Sequence, residues 1–216
     1  MHAVSRTGYP LFSYSDLIDS LVLRGYYIAQ DFITPYLLKR LRSEAEAFYQ
    51  EGMTRAGIGR GDLHQQVETV RNDRTHWLNG STVAQQRFFA LAEELKEEVN
   101  RALFMGVFDF EAHYAVYEPG NFYKKHRDAF KGSSNRVLTT VFYLNDSWQE
   151  SWGGKLRVYD DSDQFLCDVI PQGGTAVFFL SEQFPHEVLP AKQCRYSIAG
   201  WYRVNSSVGG LVDPSR

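Results

Sequence analysis

His126, Arg127 and Asp128 stand together in this chain, His186 follows 60 residues after His126, and Arg195 comes nine residues after that. On an extended strand, residues two apart project from one face, so His126 and Asp128 can hold one ion side by side. His186, opening another predicted strand, supplies a third ligand. Two imidazoles and one carboxylate on one face of an octahedral ion leave positions open, which is the ligand set of non-haem Fe(II) oxygenases. Arg195 adds a second anchor: its planar guanidinium can hold a carboxylate through two parallel bonds. An acid with one end on the metal and the other on Arg195 has the chemistry of 2-oxoglutarate. The plainer alternatives are a surface His-Asp pair and an Arg195 matched to a structural carboxylate, since a buried guanidinium needs a partner in either case.

Tyr143 favours the ligand. In the run Val137 to Leu144, alternation places Val137, Thr139, Val141 and Tyr143 on one face and Leu138, Thr140, Phe142 and Leu144 on the other. An apolar wall carrying two hydroxyls suits a small dicarboxylate, whose remote oxygen can accept a bond from the phenol.

The elements that must position these groups fall into two textures. Ser13 to Arg24 has a helical rhythm through Leu17, Ile18, Leu21 and Leu23, with Gly25 as a stop. Thr34-Pro35 reads as cap and first turn of a second helix ending at Gly52, and a third starts at Ser81 or Thr82 and runs toward Phe104. From Val107 onward come short β-branched and aromatic runs: Phe108 to Tyr117, Phe122 to Asp128, Val137 to Leu144, Lys155 to Tyr159, Phe165 to Ile170, Thr175 to Leu180, Glu187 to Leu189 and Tyr196 to Val204. Helices followed by about eight strands indicate an α+β fold with a double-stranded β-helix, a jelly-roll or cupin-like core. The expected layout is one domain over 1–216, with helical support over 13–104, the β-helix over 107–204 and a tail over 205–216. Within it, 53–80 is rich in Gly, Arg and Asp and reads as a long mobile loop with room for a short hairpin, of the kind that often serves as a lid.

The chain has 216 residues, 44% of them hydrophobic, enough for one substantial core. Its formal net charge of -3 argues against nucleic acid as a partner, and no apolar run is long enough to cross a bilayer. Two cysteines, Cys167 and Cys194, are too few for a disulfide framework and point to a reducing cytoplasm. There is no H-E-x-x-H, no Walker loop and no G-x-S-x-G elbow. Gly57-Ile58-Gly59-Arg60-Gly61 reads as loop rather than phosphate cradle. His2, His64, His76 and His113 lack a companion at ligand spacing and read as surface or packing histidines.

Taken together, Tyr117-Glu118-Pro119-Gly120-Asn121, Tyr123 through Asp128, Phe142-Tyr143-Leu144-Asn145, Gly153 through Arg157, Phe178-Phe179, Pro185-His186-Glu187-Val188, Arg195-Tyr196 and Trp201-Tyr202 give residues 110–204 a specific likeness. This stretch resembles the 2-oxoglutarate- and Fe(II)-dependent prolyl hydroxylases of the oxygen-sensing type, in their bacterial branch. The resemblance implies that His126, Asp128 and His186 bind iron. It also implies that Tyr143 and Arg195 hold the far carboxylate of 2-oxoglutarate, and that Leu156 and Val188 line its pocket. Tyr117, Tyr123 and Trp201 fall where the family places aromatic residues around iron and substrate. Val70 through Trp77, with Arg71 and Trp77, resembles the finger loop that closes over a peptide. Two departures stand out. Ala199 replaces a hydroxyl residue of the animal oxygen sensors, so their slow reaction with oxygen does not carry over. Tyr123 lies an odd number of residues before His126, so a bulge is required for both to face the metal.

The implied reaction is prolyl 4-hydroxylation of a protein with Fe(II), 2-oxoglutarate and O2, releasing succinate and CO2, with ascorbate as a stimulant and elongation factor Tu as a possible substrate. The rivals are hydroxylation of a small molecule or free amino acid, nucleic-acid demethylation, and a catalytically silent cupin-like binding module. The long charged stretch 53–80 argues against the first, the lack of a second Arg soon after Arg195 against the second, and the intact triad against the third.

Overall fold

The structure, a computed structural model, describes residues 12–57, 69–129 and 135–205. The fold is α+β: three helices back one face of a double-stranded β-helix. Helix α1 (Tyr14–Arg24) starts where the Ser13 hydroxyl accepts from the Asp16 N–H and stops at Gly25, left-handed at φ 76°. Helix α2 (Pro35–Gly52) is capped by Thr34 with proline in its first turn, and α3 (Val83–Leu103) by Thr82. All three starts agree with the capping residues read from the sequence.

The strands are β1 (Tyr26–Ala29), β2 (Thr54–Arg55), β3 (Arg74–Trp77), β4 (Val107–Tyr117), β5 (Tyr123–His126), β6 (Arg136–Tyr143), β7 (Leu156–Tyr159), β8 (Phe165–Val169), β9 (Ala176–Leu180), β10 (His186–Val188) and β11 (Arg195–Val204). They form a seven-stranded sheet in the order β1-β9-β6-β11-β4-β3-β2 and a four-stranded sheet in the order β5-β10-β7-β8, with every pair antiparallel. β1 was not foreseen. It is a four-residue edge strand on β9, too short for alternation to distinguish it from a link between helices. The hairpin expected within 53–80 is present as β2 and β3. Residues 58–68 of that stretch, most of Gly57 through Gly61, His2, His64 and all but the first residue of the 205–216 tail lie outside the described residues.

Alternation divides the large sheet cleanly. Tyr114, Val116, Leu138, Phe142, Phe178, Ile198 and Tyr202 pack outward against Leu17, Leu41, Phe88 and Leu95 of the helices. Ala115, Tyr117, Val141, Tyr143 and Phe179 face inward, toward Leu156, Val158 and Val188 of the small sheet. Val137 departs from the expected face. A register shift on β6, between the pairs Leu138–Tyr202 and Arg136–Arg203, turns Val137 to the helical layer. Arg136 lines the cavity between the sheets.

Candidate active site

A cavity of about 500 Å³ opens between the two sheets, within the range of small-molecule sites. Its inner wall is a grid fixed by strand register. Trp77, His113, Ala199 and Val141 form one row across β3, β4, β11 and β6, and Glu111, Trp201 and Thr139 form the next. Tyr117 pairs with Arg195 at the closed end.

His126, Asp128 and His186 come together at one side. Their ligand atoms all lie within 4.8 Å of one another, the one such group among the described residues. His126 ends β5, but Asp128 lies beyond it in a bend rather than on the strand as expected, so the two meet through a turn. The required bulge is present: His186 pairs with His126 while Val188 pairs with Tyr123, leaving one extra residue on β5. As a result the Tyr123 ring stacks on His126 at 3.6 Å. The Nδ1–H of His126 donates to the Lys124 carbonyl at 2.8 Å and that of His186 to the Phe184 carbonyl at 3.1 Å. Both Nε2 lone pairs are therefore turned toward Asp128, 3.4 and 3.7 Å from its oxygens.

Asp128 accepts from the Thr139 hydroxyl at 2.9 Å, and Ser181 is 2.9 Å from Thr139. Because the single Thr139 proton goes to the carboxylate, Ser181 donates to Thr139. Burial alone would raise the Asp128 pKa, but the two imidazoles and Arg136 hold it well below the usual carboxylate range. Burial, helped by His126, lowers His186 to about 4. Two imidazoles and a carboxylate held within 4.8 Å of one another form a donor set suited to a divalent cation, which binds the carboxylate ionised and the imidazoles neutral.

Arg195 is 1% exposed and crosses to the small-sheet side, donating from Nε to the Gly154 carbonyl at 2.9 Å and from Nη1 to Ser197 at 3.2 Å. Gly154 has φ 70°, and a Cβ there would lie 2.8 Å from that of Ala191. Glycine is thus the residue that leaves room for this carbonyl. Arg195 Nη2 and the Tyr143 hydroxyl are both buried without a partner. Burial pushes Tyr143 up to about 12, which keeps its hydroxyl a donor. Leu156 and Val188 line the cavity between this end and the triad, and Tyr117, Tyr123, Arg71, Trp77 and Trp201 line it as well. Tyr143 stands behind Arg195, 5.0 Å from ring centre to guanidinium carbon.

Several residues escaped the sequence reading. Asp73 is fully buried and takes both arms of Arg71, at 2.8 and 2.7 Å. Arg71 in turn lies 4.3 Å from the Tyr123 ring centre. Arg136 binds Glu111 at 2.7 Å and covers Trp201 at 3.6 Å. His113 lines the cavity between Trp77 and Trp201, with ring centres 5.1 and 5.3 Å away, a place that alternation from Tyr117 along β4 would have revealed. His76 does pack, stacked on Phe48.

Residues 112–203 match the 2OG-Fe(II) oxygenase superfamily. The chain is similar to the hypoxia-inducible factor prolyl hydroxylase of Caenorhabditis elegans, 26% identical over 200 residues, which are 86% of this chain and 27% of that protein. It is also similar to human Egl nine homolog 1, 26% identical over 187 residues, 82% of this chain and 43% of that one. It thus spans less than half the length of these two curated relatives. Among solved structures, a prolyl-4-hydroxylase of Pseudomonas putida superposes with a TM-score of 0.82 at 34% identity, covering 90% of this chain and 100% of that one. A prolyl hydroxylase of Trichoplax adhaerens, solved with a hypoxia-inducible factor peptide fragment, shares the fold at 24% identity with a TM-score of 0.79, over 88% of each chain.

Proposed function

Because the chain belongs to the 2OG-Fe(II) oxygenase superfamily, we propose that it hydroxylates a prolyl residue of a protein substrate while converting 2-oxoglutarate and O2 to succinate and CO2. The observation that carries the reading is Arg195, which lines the cavity with Nη2 buried and unpartnered, backed by the equally unpartnered Tyr143 hydroxyl behind it. A buried cationic N–H without an acceptor is costly, and a carboxylate entering the cavity supplies the acceptor that Arg195 Nη2 lacks.

His126, Asp128 and His186 hold the metal in this reading, with both imidazoles fixed in the correct tautomer by backbone carbonyls. Fe(II), when bound there, supplies the activation of dioxygen. Arg195 and Tyr143 orient the cosubstrate by its far carboxylate, and Leu156 and Val188 flank its methylenes. Tyr117, Tyr123, Trp77 and Trp201 shape the wall that receives the proline and keep water from it, and Arg71 braces Tyr123 from behind. The substrate candidate is elongation factor Tu, supported by the resemblance to bacterial prolyl hydroxylases, in the cytoplasm and with ascorbate as a stimulant. No helix among the described residues is long and apolar enough to cross a membrane.

The test is to follow succinate formation with purified enzyme, Fe(II) and 2-oxoglutarate, with elongation factor Tu or free proline as acceptor, and to map added oxygen by mass spectrometry. Oxygen on a prolyl residue of the protein supports the proposal. Oxygen on free proline alone would transfer the reading to amino-acid hydroxylation, and metal-independent or absent 2-oxoglutarate turnover would end it.

A further inference from the structure

The metal triad is assembled from two separate arms, the β5 turn carrying His126 and Asp128 and the start of β10 carrying His186. Between the first two ligands, Arg127 also lines the cavity, and its guanidinium reaches across to the backbone of neighbouring turns. Its Nη1 lies 2.8 Å from the Glu182 carbonyl, 3.0 Å from the Gln183 carbonyl and 2.9 Å from Asp161 Oδ1, and its Nη2 is 3.2 Å from the Asp161 carbonyl. Glu182 and Gln183 belong to the turn that leads from β9 to His186. The same turn reaches the triad twice more, through Ser181 and Thr139 to Asp128, and through the Phe184 carbonyl to His186.

We propose that Arg127 is a positioning residue for the metal centre, clamping the arm that bears His126 and Asp128 to the turn that sets His186. The chemistry suits arginine. A planar fork can reach several carbonyl oxygens from one position, which a lysine ammonium on a flexible stem does less well. The Arg127–Asp161 ion pair is half-exposed at Asp161 and contributes little as a charge pair. The backbone acceptors make the side chain a strut.

A positive side chain adjacent in sequence to two metal ligands gives the proposal a test by sign. If Arg127 acted only through its charge, removing it would relieve repulsion and tighten binding of a divalent cation. As a clamp, its removal weakens binding. The probe is Mn(II) alone, titrated into the full-length protein and followed by loss of the free-ion paramagnetic resonance signal. Arg127→Met is expected to raise the Mn(II) dissociation constant about 10-fold, at the lower end of effects seen for residues that orient metal ligands. Arg127→Lys keeps the charge and loses the fork, so a clamp predicts a weaker ion here too, while a charge effect predicts none. Tighter binding in Arg127→Met, or wild-type binding in Arg127→Lys, overturns the proposal. The inference rests on the triad being the metal site. Failure of the wild type itself to bind Mn(II) would remove that reading, whereas equal binding by wild type and variants removes only the clamp.

Discussion

Arg195 shows how little a single residue can be altered at this site. Lysine keeps the charge but not the planar two-bond contact, and loses the Nε bond to Gly154. Arg195→Lys should cost about 2–3 kcal/mol of 2-oxoglutarate binding, roughly 30- to 150-fold in affinity. Mn(II) affinity should be nearly unchanged, and calorimetric titration of each ligand separates the two. His113 makes a different prediction. Burial first, and Arg71 second, lower its pKa to about 4 from the 6.5 of a free imidazole. The folded protein therefore binds fewer protons at this residue than the unfolded chain between these values, and stability is lost as pH falls through that window. The loss from His113 alone at pH 4.5 is about 2–3 kcal/mol. His113→Phe should flatten the dependence by that amount in urea unfolding of the metal-free protein at pH 7 and 4.5. An unaltered slope would show that His113 accepts its proton while folded. The chemistry-bearing residues were legible because they are polar interruptions of apolar strands, as Arg195 is. Asp73 and Glu111 were not, because a buried carboxylate looks like any surface acid until its arginine is placed in space.

At the level of elements, two bulges decide which side chains reach the cavity. Strict alternation would separate Tyr123 from His126 and keep Arg136 off the inner face, and in each case a register shift reverses the outcome. The odd spacing of Tyr123 and His126 signalled the first. Nothing local signalled the second, since Val137 is as compatible with one face as with the other. A buried ion pair, Arg71–Asp73, leads into strand β3. Asp73→Ala leaves Arg71, whose side chain is 12% exposed, without its carboxylate. Breaking such a pair should cost about 3 kcal/mol of unfolding free energy. The loss should also weaken the Arg71–Tyr123–His126 stack. Denaturant unfolding measures the first effect. If Asp73→Ala unfolds like the wild type, β3 is held by its pairing with β4 and β2 alone.

Across the whole molecule, helix caps and the order of textures made the architecture readable, because Ser13, Thr34 and Thr82 each satisfy a local backbone donor. The pairing of β1 with β9 is set by contacts between residues about 150 apart, which no short window contains. The site, too, is a property of the complete fold, built from both sheets. A ligand binding only when these surfaces meet should stabilise the whole molecule. Mn(II) at 100 times its dissociation constant is expected to add about 2.7 kcal/mol, or about 5–10 °C in Tm for a chain of this size. Thermal unfolding with and without a chelator measures this, and His126→Ala should abolish the difference.

The placement of the tryptophans carries an optical consequence. Of the four in the chain, Trp77 and Trp201 line the cavity, while Trp148 and Trp152 pack edge to face beside the turn at Gly153. An indole that loses neighbouring water emits at shorter wavelength. A peptide seated against Trp77 should therefore shift the intrinsic fluorescence toward the blue, and a bound paramagnetic ion should quench the cavity pair more than the pair outside it. The protein can report its own occupancy without a label.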